Sequence, residues 1–139
     1  MAVGSEDTPS NAAGPGPIMA GNAYEFTITA APGARLSLAM MFGQSNDLFY
    51  APEGEGIALF KRGKPLSGDI TSSFLLWDAG TEVNQEPGVG ADQAPRQKAP
   101  NTGLPENGVV WRLKNVRDGF KYPRVAEVLK ITIEPLGTT

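Results

Sequence analysis

The chain has 139 residues, 40% hydrophobic and 19% charged, enough for one globular domain with a modest core. A formal net charge of -3 and an isoelectric point near 4.9 leave no basic field to hold a nucleic-acid backbone or an anionic membrane surface. With no cysteine and no histidine, disulfides, thiolate chemistry, Ser-His or Cys-His catalysis and the usual nitrogen or sulfur ligands of zinc and copper are excluded. Oxygen ligands, suited to calcium or magnesium, remain.

Residues 1–21 ("MAVGSEDTPSNAAGPGPIMAG") are small, polar and rich in Pro and Gly, and are expected to form a flexible N-terminal arm ahead of a domain over residues 22–139. They lack the basic and apolar regions of a signal peptide, and no apolar run reaches the ~20 residues of a membrane helix. Across the chain, 17 glycines and 12 prolines leave only short apolar runs with no helical period, so helices should be few. Residues 23–30 ("AYEFTITA") alternate Tyr24, Phe26 and Ile28 with Glu25, Thr27 and Thr29, which predicts a half-buried strand. Residues 35–42 ("RLSLAMMF") predict its hairpin partner across the turn "APGA".

Further strands are expected over residues 57–60, 70–77, 109–113 and 125–134; in the last, Leu129, Ile131 and Ile133 alternate with Lys130, Thr132 and Glu134. Between the runs over residues 70–77 and 109–113 lies a long Pro- and Gly-rich loop, residues 79–108. Short strands between Gly/Pro turns predict an all-β fold, an antiparallel β-sandwich of about eight strands with this loop at one end.

Two segments carry chemistry. In residues 41–54 ("MFGQSNDLFYAPEG"), Asn46 and Asp47 precede an aromatic pair, and spacing alone favours a polar turn anchored by Phe49 and Tyr50. In residues 75–82 ("LLWDAGTE"), the plainest reading packs Trp77 in the core, lets Asp78 cap the Ala79-Gly80 turn and leaves Glu82 in solvent. The alternatives are an oxygen-only metal site and a hydrolase acid/base pair at Asp78 and Glu82. The glycine-rich "GVGADQ", residues 88–93, is followed by proline and not by a helix, so it is no phosphate loop.

The set "SNDLFYAP", "SGDITSSFLLWDAGTEVNQEPGVGADQAPRQ" and "DGFKYPRVAEVLKITIEPL" resembles the spondin N-terminal domain family, found in F-spondin, in mindin and in bacterial secreted proteins, over roughly residues 23–136. The resemblance implies an eight-stranded antiparallel sandwich with a calcium ion held by acidic loops at one end. It makes Asp47, Asp78 and Glu82 metal-ligand candidates, with Asn46 and Asn84 as additional donors. It implies a secreted module, extracellular or periplasmic, that is non-enzymatic and works in adhesion or surface assembly. Two other readings come from different classes. A calcium-dependent glycan or small-ligand domain would need an exposed aromatic beside the metal, for which Trp111, Phe120 and Tyr122 are candidates. A self-assembling protein would donate its arm to a neighbour's sheet edge.

Overall fold

The computed structural model describes residues 8–137, so the first seven residues of the expected arm and the last two of the chain lie outside the described residues. The chain divides into two compact units, residues 1–32 and 33–139. In the first, Ser10 N–H donates to the Ala23 carbonyl (2.8 Å), Ala23 N–H donates to Ser10 Oγ (2.8 Å), and the Tyr24 hydroxyl donates to the Gly16 carbonyl. Residues 22–31 carry no strand, so the expected strand over residues 23–30 and its hairpin are not formed. Arg35 shows what competes: its guanidinium donates to the carbonyls of Glu55 (3.2 Å) and Gly56 (2.6 Å), which commits residues 35–36 to a partner some twenty residues downstream.

The second unit is all-β, with antiparallel pairing throughout. Its strands are β1 (Arg35–Leu36), β2 (Met40–Met41), β3 (Leu48–Pro52), β4 (Ile57–Ala58), β5 (Phe60–Lys61), β6 (Lys64–Pro65), β7 (Gly68–Asp69), β8 (Phe74–Asp78), β9 (Trp111–Arg112) and β10 (Thr132–Ile133). The main sheet has the order β2-β3-β8-β9, and the pairs β1-β4, β5-β6 and β7-β10 make three two-stranded ladders.

Local chemistry explains where the strands stop. The expected strand over residues 57–60 divides at the buried Leu59, whose N–H donates to the Ala34 carbonyl and whose carbonyl accepts from Leu66 N–H. The run over residues 70–77 opens with a 3-10 turn, Thr71–Ser73, because Asp69 Oδ1 accepts the Thr71 N–H at 2.8 Å. The run over residues 125–134 begins as a single helical turn, α1 (Val125–Val128), because the Glu127 carboxylate folds back onto the Arg124 N–H (2.8 Å) and guanidinium (2.7 Å). Only its second half behaves as a strand: Leu129, Ile131 and Ile133 are half-buried while Lys130, Thr132 and Glu134 are exposed.

The β3-β8 ladder positions everything else. Its register sets Leu48 opposite Asp78, Tyr50 opposite Leu76 and Pro52 opposite Phe74, and these six residues form the buried face. Phe42, Leu48, Tyr50, Leu76 and Leu113 make the core, with the Phe42 and Tyr50 rings tilted at a centroid distance of 5.7 Å. Side chains alternate across a strand, so an inward Asp78 puts Trp77 on the other face. Trp77 is accordingly half-buried there, its indole N–H donating to the Ala51 carbonyl at 3.1 Å, and is not the core anchor the sequence predicts.

The Tyr50 hydroxyl is buried without a hydrogen-bond partner, and burial pushes it up to about 12. An unpaired buried hydroxyl costs stability, so Tyr50→Phe is expected to be neutral or stabilising by up to about 1 kcal/mol. A thermal melt showing loss instead would mean that the hydroxyl has a partner.

Candidate metal centre

Strand β8 ends with Asp78 only 3% exposed, on the core face and at the sheet's end. A buried carboxylate must find donors, and Asp78 finds two: Oδ1 accepts Gly80 N–H (2.7 Å) and Oδ2 accepts the Asn84 side-chain amide (2.6 Å). The first bond is the turn cap expected from sequence. It bends the chain through Gly80, whose φ is +69° and whose Cα lies so close to the returning chain that an added Cβ would sit 2.6 Å from the Val109 carbonyl oxygen.

Asp47 grips the same turn from the neighbouring loop. Its Oδ2 accepts Thr81 N–H (2.6 Å), the Thr81 hydroxyl (2.7 Å) and Glu82 N–H (3.0 Å), while Oδ1 is buried with no partner. Glu82 is 8% exposed, not solvated, and its Oε2 accepts from the Asn46 amide at 3.4 Å. Asn46 is 7% exposed, and its Oδ1 accepts Gln85 N–H at 3.1 Å. Gly103 closes the third side: a Cβ there would stand 2.3 Å from Glu82 Oε2.

The structure therefore brings Asp47, Asp78 and Glu82, with Asn46 and Asn84, to one end of the main sheet, joined through backbone and side-chain amides. Among the described residues, no three acidic side chains make a group able to hold a metal ion as they stand. Asp47 suits a hard cation best, since it offers a buried oxygen that nothing else occupies. Both Asp78 oxygens and Glu82 Oε2 already hold amide donors, so a cation there would share those oxygens with an N–H.

Three further residues were not singled out by sequence. Thr81 supplies two of the donors on Asp47. Glu106 and Asp118 return on the far side of the long loop and add charge. The Glu106 carboxyl is pushed above its ordinary value of 4.5 by desolvation and then by the charges of Asp78, Asp47 and Asp118. Tyr122 is likewise pushed above its ordinary value by burial, then by its hydrogen bond to Asp118 and by the same acids. Neither ion pair among the described residues, Arg112–Glu53 and Arg124–Glu127, touches these carboxylates. The centre thus gathers like charge with no protein cation paired to it.

The aromatic candidates separate. Trp111 is 54% exposed and lies opposite Asp78 in the β8-β9 ladder, Phe120 is at the edge of exposure, and Tyr122 is half-buried with its hydroxyl held by Asp118. No helix among the described residues is long and apolar enough to cross a membrane. Comparison with family models, with curated proteins and with solved structures finds no match for the chain.

Proposed function

We propose that the chain is a non-enzymatic, calcium-binding β module of spondin type, working outside the cell in adhesion or surface assembly. The observation that carries the metal reading is Asp47: one oxygen ties two loops together and the other is buried and unpartnered, while the charges of Asp47, Asp78 and Asp118 all bear on Glu106. Calcium would neutralise that like charge, and carbonyls of the Ala79-Gly80 turn and water would complete the 6 to 8 oxygens it takes at about 2.3–2.6 Å. Asp47 is the primary ligand on this reading, with Asp78 and Glu82 joining it through their remaining lone pairs. The spondin assignment and the extracellular role rest on the resemblance in "SNDLFYAP" and "LLWDAGTE".

Against a hydrolase, both Asp78 oxygens accept amide N–H groups and Glu82 Oε2 accepts the Asn46 amide, so the two carboxylates are held by different partners. Thermal melting of the protein in calcium and in chelator tests the metal reading. A ligand at a hundred times its Kd raises stability by about 2.7 kcal/mol, so the midpoint should rise by several degrees in calcium. Equal midpoints in calcium and in chelator would remove the metal from the proposal.

A further inference from the structure

The long loop is not a featureless linker. Its two ends run side by side, with Val83 N–H bonded to the Leu104 carbonyl (2.8 Å), Glu106 N–H to Thr81 (3.1 Å) and Gly108 N–H to Gly80 (2.7 Å). Its tip, residues 85–97, is built around Gln93, which is 0% exposed. The Gln93 amide donates to the carbonyls of Gln85 (3.3 Å) and Glu86 (2.9 Å), and its oxygen accepts from Gly88 N–H (3.0 Å) and the Arg96 guanidinium. Gln85 and Asp92 exchange two more bonds, at 2.8 and 3.0 Å. Polar bonds chiefly shape the tip, where Val89 is exposed and Pro87 only half-buried, and an element with so little apolar burial opens locally at far lower cost than the sheet beneath it.

What fastens the tip to that sheet is the short segment before β3. The Gln44 carbonyl accepts Gly88 N–H (3.0 Å), the Gln44 side chain accepts from Arg96 (3.0 Å), and Asn46 Oδ1 accepts Gln85 N–H (3.1 Å). The next residue is Asp47, which grips the root of the same loop at Thr81 and Glu82, while the Asn46 amide itself reaches Glu82. Root and tip are thus held by neighbouring residues of one stretch, 44–47, in which Ser45 and Asn46 are buried.

We propose that Asn46 is a positioning residue that couples the carboxylate centre to the tip: a cation held at Asp47 fixes the 44–47 segment and keeps the tip docked, and loss of the cation releases it. The inference rests on the calcium reading for its trigger, whereas the tether through Asn46 stands or falls without metal. Hydrogen exchange of the whole protein, followed at Gly88, Gln93, Arg96 and Gln97 in chelator and in calcium, tests both parts. In chelator, Asn46→Ala should exchange at these amides about tenfold faster than wild type, with the β3 and β8 amides unchanged. Calcium should slow the tip in wild type and leave it unchanged in Asn46→Ala.

A tip that exchanges at the wild-type rate in Asn46→Ala would overturn the tether. Equal slowing by calcium in wild type and Asn46→Ala would overturn the coupling. Absence of any calcium binding would end the functional reading and the trigger together, and the chelator comparison would still decide the tether. A wild-type tip that exchanges equally in calcium and in chelator would overturn the coupling without any variant, even where a substitution at Asn46 prevents folding.

Discussion

Gly80→Ala is expected to lower stability by about 3 kcal/mol, an effect on the order of 10 °C in melting temperature for a unit of this size. Two costs add at this position. The residue has φ +69°, in the left-handed region where a Cβ is disfavoured. The new methyl would also meet backbone, 2.6 Å from the Val109 oxygen and 2.8 Å from its nitrogen, and backbone cannot swing aside as a flexible side chain can. Gly63→Ala separates the two costs. Gly63 has φ +75° with nothing within 4 Å of the added Cβ, so it carries only the conformational penalty, about 1 kcal/mol. If the two variants melt alike, the close approach between the Gly80 turn and the returning chain does not exist in solution.

Asp47→Ala is expected to cost about 2 kcal/mol in chelator, measured by denaturant unfolding. Three donors lose their acceptor, each bond to a charged group being worth about 1.5–3 kcal/mol in full. Two reductions apply. The bonds to Thr81 are partly open to water, and removing one carboxylate relieves the repulsion that Asp47 exerts on Glu106. Asp47→Asn tests the buried oxygen separately. Its carbonyl can still accept from Thr81 and Glu82, so it should cost less than alanine in chelator, yet it should erase the whole calcium increment. Retention of that increment in Asp47→Asn would place the metal elsewhere.

Strand-level features were readable where the residues themselves determine them. The expected run over residues 70–77 contains β8 (Phe74–Asp78), whereas β3 (Leu48–Pro52) lies in a segment the sequence marks as a polar turn, although both strands bury alternate residues and pair in a single register. Alternation also survives at Leu129, Ile131 and Ile133, although only Thr132–Ile133 joins a ladder. Where the reading failed, a local bond or a distant partner outweighed the pattern. The Glu127 carboxylate turned residues 125–128 into a helical turn, and Arg35 took its partners from residues 55–56.

The site was legible in its members and not in its wiring. Asp47 and Asp78 do meet the same turn, but Glu82 is buried against Asn46, and Trp77 faces away from the core because Asp78 faces in. The two-residue period held that last answer: one of the two neighbours had to point outward. Nothing in "GVGADQ" marked Gln93 as a buried hub, although its second glycine gave a hint. A Cβ at Gly90 would lie 2.6 Å from the Gln93 amide, so the spacing of small residues there reflects close approach to a side chain and not to a phosphate.

Isothermal calorimetry of calcium into the metal-free protein, run beside Asp47→Asn, tests the central claim most directly. The carboxylate centre predicts one calcium bound per chain in the wild type and no binding heat in the variant. No heat with the wild-type protein, or equal binding by both, would contradict it.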